Sequence, residues 1–182
     1  MNQIRRARRD DLEAVREIER RAGRGFAAIG MPEVAADEPL SVAALESFVA
    51  AGHAWVAVNA RDRPVAYLLS ELVDGWAHVE QVSVAPEHAG RGLGAALIDR
   101  LEAEAAAANR PGLTLTTFRD VPWNAPYYAR LGFVALEAPE LGPELQAVIQ
   151  RESSSIPGGA PRVAMRRPAR RICRAARSVT TK

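Results

Sequence analysis

The sequence predicts an α/β fold of the α+β kind: a mixed, mostly antiparallel central sheet of about six to seven strands flanked by helices. Three observations carry that expectation. Residues 54–84 hold three alternating, β-branched segments joined by short turn signals, the pattern of an antiparallel meander. Residues 12–22 and 93–105 place apolar side chains at helical spacing. Between the meander and the second of these helices, Gly90, Gly92 and Gly94 fall at alternate positions.

Taken in order, residues 2–8 (NQIRRAR) form a first strand. Asp10 with Glu13 fits a capping box, and Leu12, Val15, Ile18 and Ala22 continue a helix to Gly23, a stop signal. Residues 23–40 are rich in Gly and Pro and read as a loop or a broken short helix. Ser41 is a candidate N-cap for a second helix with Leu45, Phe48 and Val49 on its buried face. Residues 54–59 turn through 60–63 into a strand over 64–72, and Asp74-Gly75 is a hairpin turn. The next strand alternates Val79, Val82 and Val84 with polar Glu80, Gln81 and Ser83, and Pro86 ends it. A third helix runs from Gly92 to about Asn109, with Leu93, Leu97 and Leu101 on one stripe widened by Ala96, Ile98 and Ala105. Residues 113–118 make a strand, Pro126 opens a short helix that Gly132 stops, and residues 133–136 begin another strand. Residues 143–151 read as helix, 153–161 as linker and 162–167 as a last strand. One domain over 1–167 followed by a basic tail over 168–182 is the expected organisation.

At 182 residues the chain suffices for one well-buried domain. No apolar run approaches the roughly 18 residues of a membrane span, and the N-terminal residues lack the apolar core of a secretory signal. The single cysteine, Cys173, excludes an internal disulfide framework and a cysteine-rich zinc site, so no metal is expected and the cytoplasm is the expected compartment. A formal charge of +2 hides an asymmetry: residues 1–152 carry −6 and residues 153–182 carry +8. An acidic body draws cationic substrates and argues against nucleic acid as a partner. The tail reads as a solvated, disordered extension.

The chemistry concentrates at the glycines. Alternate glycines let the backbone turn and aim successive N–H groups into one concavity. The helix behind leaves its first N–H groups unpaired and adds partial positive charge. Strand, glycine turn and helix N-terminus together make a site for a phosphate or pyrophosphate. A dinucleotide reading of G-x-G-x-x-A fits poorly, because the turn follows an antiparallel meander and residues 105–110 hold no acid at the required distance of about 20.

With the turn placed on the fourth strand and third helix, the chain resembles the GNAT superfamily of acyl-CoA-dependent N-acetyltransferases. The likeness covers about residues 2–137, with a possible extension to 167, and rests on VEQVSVAPEHAGRGLGAAL (79–97) and WNAPYYARLGF (123–133). It departs at Ala89, where the family turn usually opens with Gln or Arg. The resemblance implies a splay between the fourth and fifth strands and acetyl-CoA as cosubstrate. Main-chain N–H groups of Gly90, Arg91, Gly92, Leu93, Gly94 and Ala95 would hold its pyrophosphate. Val82, Ser83 and Val84 would pair with the pantetheine arm, the Val82 N–H facing the thioester oxygen. Glu80 is the implied general base and Tyr128 the implied general acid, with Tyr127 as its competitor. Asn124 either caps the short helix or hydrogen-bonds the coenzyme. His78 is expected at the surface. Phe26, Ile29 and Met31 could wall an acceptor pocket that Trp123 also faces, and Glu33, Asp37 and Glu38 could hold a cation.

The expected function is therefore direct acetyl transfer to a primary amine of a small cationic molecule. Acetylation of a protein or peptide amine, or non-catalytic acyl-CoA binding, are the alternatives. Pairing as a homodimer is left open by the sequence.

Overall fold

The computed structural model describes residues 3–154 and 160–169. The predicted meander organises it. β2 (Ala54–Val58), β3 (Pro64–Val73) and β4 (Trp76–Val84) run antiparallel, with β1 (Gln3–Arg6) on the outside of β2. Asn59 closes the first turn by accepting the N–H groups of Arg61 and Arg63 on Oδ1, at 2.9 and 3.2 Å. Asp74 (φ 48°) and Gly75 (φ 78°) make the second, the left-handed pair that matches strand twist in a tight hairpin.

Helix α4 (Leu93–Ala107) crosses from β4 to β5 (Gly112–Phe118), which lies parallel to β4. β7 (Arg162–Pro168) pairs with β5, and β6, reduced to Val134–Ala135, forms the far edge. The strand order is β1-β2-β3-β4-β5-β7-β6. The sheet is thus seven-stranded and mixed, as expected.

Each face buries a different apolar set. On one, Leu97, Ile98 and Leu101 of α4 pack on Trp55, Leu68, Val79, Leu113 and Leu115. On the other, α1 (Leu12–Gly23) and α3 (Val42–Ala50) cover Val56, Tyr67 and Leu69 through Leu12, Val15, Ile18 and Leu45. Ser41 caps α3 as predicted, its hydroxyl accepting the Ala44 N–H at 3.2 Å. Further along this face, α6 (Pro143–Ser154) sets Leu145 and Val148 against Val73 and Ala164. Among the described residues no helix is long and apolar enough to cross a membrane.

Several boundaries differ from the sequence reading. The entry to α1 is a 3-10 turn over Arg9–Asp11, so the reciprocal cap shifts: Asp11, not the Asp10–Glu13 pair, accepts the Arg8 N–H at 2.7 Å. Arg5 fixes this arrangement by holding the buried Asp11 carboxylate with two bonds, at 2.7 and 3.0 Å. Gly23 does not end helical structure, which continues as a 3-10 turn over Arg24–Ile29 before the short α2 (Pro32–Ala35). Ser153 and Ser154, expected in the linker, close α6. The rest of that linker over 155–159, and the basic tail from 170 with Cys173, lie outside the described residues.

Candidate active site

The glycine turn has the form its spacing demands. Gly90 and Gly92 adopt φ of 71° and 74°, values that L side chains rarely take. A Cβ at either would meet nothing within 4 Å, so the space above the turn is open. Among the described residues, the N–H groups of Gly90, Arg91, Gly92, Leu93 and Gly94 have no protein acceptor. They therefore remain available, with the positive end of the 15-residue α4 dipole behind them. Arg91 extends along the turn and donates to the Glu87 carbonyl at 3.1 Å. Glu87 is in turn clamped by Arg21 of α1 through two bonds, at 3.1 and 2.6 Å.

Beside the turn the sheet opens. β4 pairs with β5 only through Ala77, His78 and Val79, opposite Leu113, Thr114 and Leu115. Residues 81–84 keep their pairing to β3, and none of residues 80–84 has a β5 partner. A bulge sits where the two strands part: Leu69 pairs with Gln81 and Ser70 with Val79, which leaves Glu80 without an opposite residue. A bulge of this kind bends the strand and re-aims the extra side chain. These residues fit a long phosphorylated thioester, with free amides at the turn for its phosphates and an unpaired strand edge for its arm.

Glu80 is half-buried and its Oε2 is buried without a partner. Burial and the neighbouring carboxyl of Glu71, helped by Glu152 and opposed by Arg151, push its pKa up to about 7. Glu152 is pinned on α6 by Arg162 at 2.6 Å and by the Thr116 hydroxyl. His78 corrects the sequence reading. It is 0% exposed, with Nδ1 3.0 Å from the Thr114 hydroxyl. Burial, aided by Arg151, pulls its pKa down to about 4, so the ring is neutral at neutral pH. Helix α6 covers this position, which a local pattern in the strand cannot reveal.

The two tyrosines lie on α5 (Ala125–Arg130), edge to face at 5.4 Å. Tyr128 packs against Phe133 at 5.8 Å, and burial holds its phenol well above the ordinary value. Tyr127 reaches α4: a Cβ on Gly94 would stand 3.1 Å from its hydroxyl. Asn124 does not cap α5 with its side chain, which instead donates to Thr117 Oγ1 at 2.8 Å.

Of the residues expected at an acceptor wall, Phe26 and Trp123 come together. Their rings are 5.7 Å apart, and Phe26 also meets Phe118 at 5.6 Å. Met31 follows through a 3.0 Å bond from its N–H to the Phe26 carbonyl. Ile29 and Trp123 remain 42% and 45% exposed. Glu33, Asp37 and Glu38 are exposed and not drawn into this group. The structure adds residues that sequence reasoning missed. Glu71 and Glu152 reach Glu80 from β3 and α6. Glu19 of α1 accepts from Tyr67 at 3.0 Å and Gln81 at 2.7 Å on the same side of β4. None of them belongs to a motif that would mark it.

Comparison with known proteins agrees with this arrangement. The model of the acetyltransferase (GNAT) family matches residues 12–133. N-acetylglutamate synthase of Neisseria gonorrhoeae, solved with coenzyme A and N-acetyl-glutamate, is similar at 16% identity and a TM-score of 0.69. The match covers 94% of this chain and 36% of that one, so this chain spans little more than a third of that protein. A Mycobacterium tuberculosis protein solved with CoA, Rv2747, is similar at 20% identity and a TM-score of 0.67, covering 91% and 98%. The Escherichia coli ribosomal-protein-S18-alanine N-acetyltransferase is similar at 19% identity and a TM-score of 0.61, covering 93% and 94%.

Proposed function

Since the chain belongs to the GNAT acetyltransferase family, whose cosubstrate is acetyl-CoA, we propose that it acetylates the primary amine of a small cationic molecule by direct transfer. Glu80 is the base and Tyr128 the acid. The observation that carries this reading is the bulge: it sets a buried, unpartnered carboxylate oxygen where β4 leaves β5.

The turn over residues 90–94 binds the pyrophosphate through its free amides, with the Ala95 N–H beside the Tyr127 hydroxyl, and Val82, Ser83 and Val84 offer strand groups to the pantetheine arm. The Val82 N–H steadies the thioester oxygen as it gains charge, and Asn124 borders the coenzyme from α5. An alkylamine has a pKa of about 10.4 and reaches the site mostly protonated. A carboxylate titrating near neutral pH is suited to remove its proton. The amine nitrogen then bonds to the acetyl carbon as the carbon–sulfur bond breaks. Glu80, having passed the ammonium proton to water, takes the second N–H proton that the nitrogen loses, and the sulfur takes one from Tyr128. An N-acetyl amide and free coenzyme A result, and exchange with water resets both residues.

Phe26, Met31 and Trp123 wall the acceptor site, and the exposed Glu38 adds to the acidic charge that draws a cation toward it. The acidic charge of residues 1–152 favours the same class of acceptor. A second reading, a peptide or protein amine as acceptor, is favoured by the exposure of Ile29 and Trp123, which offers apolar surface beyond a small molecule's reach.

Thiol release from acetyl-CoA across a panel of polyamines, amino acids, peptides and proteins tests both. Turnover with small cationic amines supports the first reading, and turnover confined to peptides or proteins supports the second. Tight acetyl-CoA binding with no turnover on any amine would make the chain a non-catalytic acyl-CoA-binding module instead.

A further inference from the structure

We propose that Glu71 is a positioning residue for this reaction, sharing one proton with Glu80 and so setting the pH at which Glu80 can take a proton from the acceptor amine. The inference rests on Glu80 being the base. It begins in the strand register. Glu71 on β3 lies opposite His78, and the bulge inserts Glu80 between the paired residues Val79 and Gln81. Tyr67 and Leu69 point to the face covered by α1 and α3, and alternation puts Glu71 on that face too. The extra residue brings Glu80 round to the same face, where the two carboxyls are neighbours.

Neighbouring carboxyls can join only on one condition. An ionised carboxylate only accepts hydrogen bonds, so two carboxyls can bond each other only while at least one proton remains between them. Removing that proton leaves two negative charges in contact in a partly dry site, which raises the second ionisation of the pair. The other groups facing the pair fix how far it rises. His78 on β4 is neutral and adds no charge. From α6, Glu152 adds repulsion that its ion pair with Arg162 moderates, while Arg151 favours ionisation. Glu71 is thus the charged neighbour that acts on Glu80 most strongly, after burial itself.

The consequence for the reaction is base strength. A carboxylate left at its ordinary pKa is a poor match for an ammonium, whereas one titrating near neutral pH combines the required charge state with a stronger pull on the proton. By this account β3 supplies Glu71 to make a β4 carboxylate into a usable base.

The test needs no acceptor. Protein labelled with carbon-13 at the glutamate carboxyls is titrated from acid to mildly alkaline pH, with Glu80 and Glu71 assigned from Glu80→Gln and Glu71→Gln. In the wild type the Glu80 midpoint is expected near neutral. In Glu71→Gln it falls by about one pH unit or more, and Glu71→Asp, which keeps the charge, restores part of the shift. Glu71→Gln and Glu71→Asp each give a reading, so one suffices where the other fails to fold. The acidic limb of kcat/KM, on any amine that the panel shows to be turned over, moves with the Glu80 midpoint. A Glu80 midpoint that stays put in the Glu71 variants overturns the inference and leaves the assignment of Glu80 as base standing. Full turnover with an unaltered pH profile in Glu80→Gln overturns both.

Discussion

Gly94 and Tyr127 meet so closely that a methyl on the glycine would stand 3.1 Å from the tyrosine hydroxyl. The contact joins the second residue of α4 to α5, and so links the glycine turn to the helix that carries both candidate acids.

Gly94→Ala should therefore separate stability from function. Overpacking costs about 1 kcal/mol or more, while alanine improves helix propensity by about the same amount. The melting temperature should stay within a few degrees of the wild type. The KM for acetyl-CoA should rise, because the displaced phenol crowds the amides below it. An unchanged KM would show that Tyr127 has room to move aside.

Gly92 tests the turn itself. Its φ of 74° would cost an alanine about 1–2 kcal/mol. Gly92→Glu adds a negative charge where the phosphates are to bind. Gly92→Ala should weaken acetyl-CoA binding mildly, and Gly92→Glu should abolish it while circular dichroism stays native. Calorimetry that finds equal affinity in Gly92→Glu and wild type would remove the phosphate assignment.

Much of this was legible in the sequence, and the reasons are local. Alternation, hairpin residues and glycine spacing are read within a few positions, so the meander, the Ser41 cap and the turn before α4 were predictable. What was not legible depends on segments distant in sequence. His78 looks exposed in a strand of mixed polarity until α6 covers that face. The bulge at Glu80 is a mismatch between two strands and leaves no mark on either alone. Glu71 gains meaning only through that mismatch.

Glu80 should cost stability where it is charged. An unfolded glutamate titrates at about 4.5 and folded Glu80 at about 7. Between those values the folded chain keeps a proton that the unfolded chain has lost. The favourable contribution is complete below about pH 4.5 and lost as pH rises through about 7. At pH 8 the loss is at most on the order of 3 kcal/mol. Glu80→Gln should thus melt higher than wild type at pH 8 and little differently at pH 5, while losing turnover. Equal melting differences at the two pH values would mean that Glu80 is not raised.

Tyr128→Phe should lower kcat by about a hundredfold with KM for acetyl-CoA little changed. Tyr127→Phe should act mainly on KM, because its hydroxyl lies at the α4 N-terminus. Should the two phenotypes exchange, Tyr127 is the acid.

The hairpin turn between β3 and β4 holds α6 in place. Asp74 accepts the N–H groups of Glu144 and Leu145, at 3.1 and 2.9 Å, and the Glu144 carboxylate accepts the Asp74 N–H in return. A side chain on Gly142 would collide with that carboxylate. Asp74→Ala should cost about 1–2 kcal/mol, as for other helix caps. It should also shift the acidic limb of the rate profile, since α6 carries Arg151 and Glu152. Denaturant melts and a pH–rate profile check the two effects, and a limb that does not move would disconnect α6 from the base.

The proposed function requires free amides in the glycine turn to grip the phosphates of acetyl-CoA while the open edge of β4 receives its arm. Proton–nitrogen correlation spectra recorded as acetyl-CoA is added test it residue by residue. Large shifts are expected at Gly90, Arg91, Gly92, Leu93 and Gly94 and at Val82 and Val84, with an acetylated pantetheine lacking the diphosphate moving only the strand pair. Turn amides that stay unmoved at saturating acetyl-CoA would contradict it.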